Sequence, residues 1–382
     1  MPATLSGMLP GFATAEGTAR YRSRFSQIAE ADHFRRAEHV TSVGELLFPS
    51  IGLGTYLGEP DERADLDYID AISEALRSGI PLLDSAINYR HQRSERNIGN
   101  ALSQAVSDRK VQRDEVIVCT KAGYLSFDGN VPANPREYFL TEYVQPGILD
   151  PKELAGGAHC MAPRFLANQI ERSRGNLEVE TIDVFYLHNP ETQLAEIGPD
   201  LFRWRVRDAF SLLESLVSDG KLRFYGMATW NAFRVPEGSR DAINLEEMAA
   251  LAYEVAGESH HFRFVQLPFN LAMPEAYVLA NQTWHKKKVS LLQAAQALGI
   301  AVIGSATLYQ GRLTHGLPGS VREILGLKTD SENAIQFSRS APGILTSLIG
   351  MGQREHVRKN IKPALVSPAR VDVWEKLFTQ NA

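Results

Sequence analysis

Asp84, Tyr89, Lys121 and His188 stand at or just beyond the ends of apolar runs in the first half of the chain. Ile80-Pro81-Leu82-Leu83 ends in Asp84, with Tyr89 five residues on; Val116 to Thr120 ends in Lys121; Ile182 to Leu187 ends in His188. Together these types have the chemistry of a proton-delivery device. A carbonyl oxygen that gains negative charge needs a proton. A phenol can supply it, but its ordinary pKa of about 10 makes it a weak acid near neutrality. A neighbouring ammonium favours the phenolate and lowers that value. A carboxylate holds the ammonium charged and in place, and an imidazole can hydrogen-bond the substrate oxygen and orient it. Singly, each has a blander explanation: a helix N-cap for Asp84, an amphipathic rim residue for Tyr89, a solvated strand end for Lys121, and a loop histidine before Pro190 for His188. Their placement at three successive strand ends favours one shared site.

Those runs are short and rich in β-branched residues, and helical patterns alternate with them, as in buried parallel strands. Strands are expected near 50–56, 80–84, 115–120, 182–187, 222–228, 263–268, 300–304 and 345–349. Helices are expected near 65–78, 94–107, 163–176, 203–219, 244–256, 288–298, 331–340 and 353–360. The fourth helix has the clearest stripe, Val206, Phe210, Leu213 and Val217, widened by Ala209, Leu212 and Leu216, with Gly220 as its C′ residue. Eight such units argue for a closed (β/α)₈ TIM barrel, whose chemistry sits at the carboxyl ends of the strands. The barrel is expected over 46–382, preceded by an N-terminal extension over 1–45, read either as an arm on the barrel or a second subunit or as a partly ordered tail. The connection over 122–162, after the third strand, is long, Pro-rich and aromatic, which favours a lid over the site.

With 44% hydrophobic and 22% charged residues the composition is that of an ordinary globular protein, and 382 residues suit a decorated barrel. A net charge of −5 gives no electrostatic case for nucleic acid or an anionic membrane. No apolar stretch approaches the roughly 20 residues of a membrane span, and residues 1–20 lack the pattern of a secretory signal. Cys119 falls within an expected buried strand, so the two cysteines, Cys119 and Cys160, imply no disulfide framework. A cytoplasmic location is expected. The isolated His159 and Cys160 suggest no metal site, and His285-Lys286-Lys287-Lys288 reads as a solvated face. Arg90, His91, Arg93 and Arg96 read as a solvated helix start rather than a lure for an acidic substrate.

The chain resembles the aldo-keto reductase family from about 46 to 365. Asp84-Ser85-Ala86-Ile87-Asn88-Tyr89 is similar to D-T-A-x-x-Y, with Ser94-Glu95 and Ile98-Gly99 after it; Thr120-Lys121 matches T-K, and Leu187-His188-Asn189-Pro190 matches L-H-x-P. Ile51 to Tyr56 resembles the opening strand, Gln266-Leu267-Pro268-Phe269-Asn270 resembles Q-x-P-Y-N, and Gly350 to Asn360 resembles the closing strand–loop–helix. The resemblance implies Tyr89 as general acid/base, with Asp84, Lys121 and His188 in the roles above. It also implies an NADP(H) cofactor, in preference to NAD(H), extended across the barrel mouth without a Rossmann glycine fingerprint. Gly54, Thr55, Tyr56, Thr229, Gln266, Ser305, Leu308, Gly350, Gly352, Arg354 and Asn360 would bind it, Arg354 clamping a 2′-phosphate, for which a guanidinium fork is suited.

Two positions depart from the pattern. Ala228 stands where a serine usually bonds the nicotinamide amide, leaving Thr229 and Gln266 for that task; Ser305 stands where a tyrosine usually stacks on the ring, with Trp230 or Tyr309 as substitutes. The expected activity is NADPH-dependent reduction of an aldehyde or ketone, or the reverse oxidation of an alcohol. The alternatives are a cofactor-independent dehydratase or isomerase using the same tetrad, and an NADP-sensing binding subunit. The partner is a small-molecule carbonyl or alcohol; a homo-oligomer stays open.

Overall fold

A computed structural model describes residues 7–379. Eight parallel strands close into a barrel: β1 Ile51–Gly54, β2 Leu82–Asp84, β3 Ile117–Ala122, β4 Ile182–His188, β5 Leu222–Ala228, β6 Phe262–Pro268, β7 Ala301–Ser305 and β8 Ile344–Gly350. Each is followed by a main outer helix: α1 Glu62–Arg77, α2 Arg93–Ser107, α3 Pro163–Leu177, α4 Pro199–Ser218, α5 Leu245–Ala256, α6 Leu291–Ala297, α7 Asp330–Ser340 and α8 Arg354–Asn360. All eight strands and all eight helices expected from the sequence are present.

The local reasons are readable. Asp61 caps α1 by accepting from Ala64 N, and Pro163 and Pro199 start α3 and α4 at positions where a missing N–H costs nothing. On α4, Phe202, Val206, Ala209, Phe210, Leu213 and Leu216 are buried, whereas Val217 and Leu212 lie at the edge of the stripe. Gly220 has φ 72°, and the bonds Gly220 N to Val217 O and Lys221 N to Leu216 O close the helix as expected. At Gly226, in β5, a Cβ would lie 2.1 Å from the Phe264 carbonyl of β6, so only glycine allows that strand approach.

The N-terminal arm is part of the barrel's packing. Ala37, Val40, Val43, Leu46 and Phe48 form one cluster with the inward-facing Leu82, Ile117, Val184, Phe224, Phe264, Ile303 and Leu345, and so plug the amino-terminal end of the barrel. The helix Ala15–Arg22 is tied by Arg20 to Asp114 and Glu115, and Tyr21 Oη donates to Leu76 O at 2.6 Å. Buried Asp183 of β4 accepts from Ala13 N (2.7 Å), Arg113 Nη2 (2.7 Å) and Val118 N (2.9 Å), fixing arm and barrel together.

The excursion after β3 is also ordered. Leu125 N bonds Ala158 O and Cys160 N bonds Gly123 O, which close its base; a helical turn over Pro135–Phe139 runs into a wider turn over Leu140–Val144. Tyr143 is buried against Phe165 and donates to Ser126 O at 2.5 Å. The His285–Lys288 run forms the exposed turn and second strand of a small hairpin between β6 and α6. Among the described residues no helix is long and apolar enough to cross a membrane.

Candidate active site

A cleft of about 1200 Å³ opens at the carboxyl ends of the strands. Asp84, Tyr89 and His188 line it, and Lys121 lies directly behind them, 1% exposed. Lys121 Nζ donates to Asp84 Oδ1 at 2.5 Å and to Ser85 O at 2.7 Å, and it stands 5.1 Å from the centroid of the Tyr89 ring. The Tyr89 and His188 rings meet edge-on at 5.7 Å. All four residues from the sequence thus come together.

Neighbouring residues explain how they are held. Ser94 Oγ donates to Thr55 O at 2.8 Å, and Thr55 Oγ1 donates to Asp84 O, joining β1, β2 and α2. Buried Glu95 accepts from Thr120 Oγ1 at 2.6 Å, directly before Lys121, and from Asn176 Nδ2 of α3. After Tyr89 the chain passes through three left-handed residues, Arg90, His91 and Gln92, at φ 48°, 55° and 73°. Such conformations persist only where the surroundings over-determine them. Here Arg90 bonds Glu59 O and Asp65 Oδ1, and Arg93 bonds Asp65 Oδ2 and Gly129 O. These arginines, with Arg96 on Asp128, face Asp65 and the excursion rather than the cleft.

The electrostatics differ from the simple expectation in one respect. Burial pushes the Tyr89 phenol above its ordinary pKa, with the Lys121 ammonium only opposing the shift. The Tyr89 phenol is therefore protonated near neutrality and can donate a hydrogen bond. Burial disfavours the Lys121 ammonium, but Asp84 and Tyr89 outweigh it and the pKa rises. Burial, then Lys121 and His159, hold His188 well below the usual histidine range, so it is a neutral hydrogen-bonding group.

The expected cofactor residues divide unevenly. Gly54, Thr55, Tyr56, Thr229, Gln266, Ser305, Leu308, Gly350, Gly352 and Asn360 all line the cleft. Arg354 does not: its guanidinium turns to Asp70 (3.2 Å) and Glu74 (4.0 Å) on α1. The cations that line that end are Lys359 and Lys362. Gln266 Nε2 donates to Asp84 Oδ2 at 2.8 Å, so its amide is already bonded within the tetrad. Trp230 lines the cleft while Tyr309 does not. Buried Glu191 holds the Trp230 loop by accepting from Trp230 N (2.7 Å) and Asn231 N (3.1 Å). Of the excursion only Tyr124 reaches the cleft, so the rest of that segment is a flank rather than a cover.

Sequence reasoning missed Lys359, Lys362, Tyr124 and Asn88 as wall residues. A helical period was the available signal at α8: His356, Lys359 and Asn360 share one face and Arg354 and Arg358 another, opposite acidic Asp70 and Glu74. Among the described residues no cluster of His, Cys, Asp or Glu could hold a metal ion.

The family described as the aldo/keto reductase family matches residues 50–318. NADH-specific methylglyoxal reductase from Escherichia coli (strain K12) is 28% identical over 198 residues, covering 50% of this chain and 52% of that protein, so the chain spans about half the length of the curated relatives it matches. The fold is similar to that of glycerol dehydrogenase from Gluconobacter oxydans (TM-score 0.62, 18% identity, 91% of this chain and 95% of that one). It is also similar to that of an aldo/keto reductase from Klebsiella pneumoniae in complex with NADP and acetate (TM-score 0.57, 19% identity, 88% and 92%).

Proposed function

Because the chain belongs to the aldo/keto reductase family, we propose that it reduces an uncharged aldehyde or ketone with NADPH, using Tyr89 as the acid. The observation that carries this is the buried Asp84–Lys121 pair beneath the Tyr89 ring at the cleft wall. The residues present fit such a cofactor. The cleft exceeds the roughly 300–1,000 Å³ of ordinary small-molecule sites. Asn88 Oδ1, Thr229 Oγ1 and Thr307 Oγ1 are buried in its wall without partners among the described residues. Gly352 gives a flat wall where a Cβ would stand 3.2 Å from the Tyr68 ring.

A reduced nicotinamide, when bound, supplies the two electrons and the hydrogen that the carbonyl carbon receives. The chain's own residues handle the oxygen. Neutral His188 and the Tyr89 hydroxyl hold it by hydrogen bonds, and Tyr89 transfers its proton as negative charge develops there. The Lys121 ammonium stabilises the phenolate left behind, and Asp84 keeps that ammonium in place. In the reverse direction the same phenolate accepts an alcohol proton. Thr229 and Trp230 would hold the nicotinamide end, and Lys359, Lys362 and Asn360 the phosphate and adenosine end. What supports an uncharged substrate is that the arginines after Tyr89 are engaged with Asp65, Asp128 and the excursion.

A second reading, proton transfer without a cofactor, is favoured by Ala228 and by the engagement of Gln266 with Asp84. Titration of the protein with NADPH and NADH, followed by tryptophan quenching and nicotinamide fluorescence, separates them. Saturable binding, tighter for NADPH, supports reduction; no binding of either overturns it in favour of cofactor-free chemistry.

A further inference from the structure

The excursion after β3 returns one side chain to the underside of the site. His159 is fully buried, and its Nε2 lies 2.7 Å from the backbone carbonyl of His188. Gln193 Nε2 lies 3.1 Å from His159 Nδ1 and donates to His159 O at 2.8 Å. Arg205 Nη1 donates to Gln193 Oε1, which fixes the amide with its nitrogen toward the ring. An amide nitrogen only donates, so Nδ1 accepts, and Nε2 carries the ring proton and donates to the His188 carbonyl. Burial holds the His159 pKa down to about 4, which keeps this arrangement neutral at ordinary pH.

That carbonyl belongs to the peptide joining His188 to Asn189. The N–H of the same peptide donates to Ala228 O at 2.6 Å, so both its polar atoms are pinned. Asn189 has φ 48°, a left-handed turn that directs the chain away from the strand end. The Tyr124 ring stands edge-on to both imidazoles, 4.9 Å from His159 and 5.3 Å from His188. Gly123 makes the approach possible: a Cβ there would lie 2.6 Å from His159 Nε2 and 2.7 Å from the His188 carbonyl oxygen.

We propose that His159 is a positioning residue, fixing through the His188–Asn189 peptide and Tyr124 the plane in which His188 meets the substrate oxygen. This gives the excursion a task within the site, and it rests on the reductase reading above. The test compares wild type, His159→Phe and His159→Gln in the full chain. Phenylalanine keeps a ring and removes the donor; glutamine keeps an N–H that can reach the same carbonyl. Readouts are the imidazole ¹⁵N shifts of His188, the Kd for NADPH, and kcat and KM for benzaldehyde.

His159→Phe is expected to move the His188 shifts and to lower kcat on the order of 10²-fold, the scale of a misplacement near 1 Å, with the NADPH Kd unchanged. His159→Gln recovers most of both. Gln193→Leu, which frees the His159 ring, is expected to move the shifts in the same direction and serves if His159→Phe does not fold. Unmoved His188 shifts in the variants, or kcat per folded molecule equal to wild type, would overturn the proposal. Moved shifts in a protein whose wild type reduces no aldehyde would leave the positioning role standing and remove the reductase reading.

Discussion

Asp84→Asn isolates the charge of the buried pair while keeping its shape. Lys121 Nζ is held by Asp84 Oδ1 at 2.5 Å and Ser85 O at 2.7 Å, and both charged side chains are at most 5% exposed. In the variant the ammonium keeps a carbonyl dipole and loses its counter-charge. Removing one partner of a buried pair costs about 3–5 kcal/mol, because the other charge is left uncompensated. The new amide nitrogen also faces either Lys121 Nζ or Gln266 Nε2, both donors, so one hydrogen bond is lost in either orientation. Urea unfolding should therefore show a lower midpoint with an unchanged slope. Turnover should fall by about 10²- to 10⁴-fold, the range for losing general acid catalysis, as Lys121 sheds its proton and no longer stabilises the Tyr89 phenolate. The double variant Asp84→Asn/Lys121→Met has no buried charge and should regain most of the stability but none of the turnover. An Asp84→Asn protein within about 0.5 kcal/mol of wild type, the size of an ordinary surface substitution, or with unchanged turnover, would rule out this role for the buried pair.

Replacing Lys359 and Lys362 by Gln should weaken NADPH binding about 10- to 100-fold, the equivalent of 1.5–3 kcal/mol for a charged hydrogen bond, while Arg354→Gln and NADH binding change little; fluorescence titration decides, and the opposite pattern would return the phosphate contact to Arg354. Acid should destabilise the fold through His33 and His159, whose pKa values burial lowers to about 3 and about 4. Because the folded imidazoles bind protons less readily than unfolded ones, their contribution is complete above the ordinary histidine value of about 6.5 and is lost as pH falls toward 4. For His159 alone the loss is about 3 kcal/mol, so His159→Gln should flatten that part of the unfolding-midpoint profile; an unaltered profile would contradict the assignment.

The barrel was legible because each strand is a short apolar run and each helix repeats its stripe every three or four residues. The tetrad was legible because Asp84, Lys121 and His188 sit at or near strand ends, where the pleat decides which face they reach, and Tyr89 follows Asp84 by five residues. The arm was legible only as one of two readings: Arg20 meets Asp114 and Glu115 more than ninety residues away, and its helices of 8 and 5 residues carry no stripe of their own. The excursion misled for a similar reason. Its Pro and aromatic content suggests a cover, but Tyr143 and Phe165 pack it sideways and only Tyr124 turns inward. His159 looked isolated in sequence because its partners, Gln193 and the His188 carbonyl, lie 34 and 29 residues on. Arg354 was assigned by motif, whereas the carboxylates of α1 set its direction.

In the proposed mechanism Tyr89 delivers the proton to a carbonyl oxygen during an NADPH-dependent reduction. The most direct test mixes NADPH-loaded wild type and Tyr89→Phe with an uncharged aldehyde and follows nicotinamide absorbance alongside alcohol formed. One NADPH should be consumed per alcohol in the wild type, and Tyr89→Phe should retain NADPH binding with turnover lower by at least about 10²-fold. Aldehyde converted without NADPH loss, or a Tyr89→Phe enzyme as fast as wild type, would contradict it.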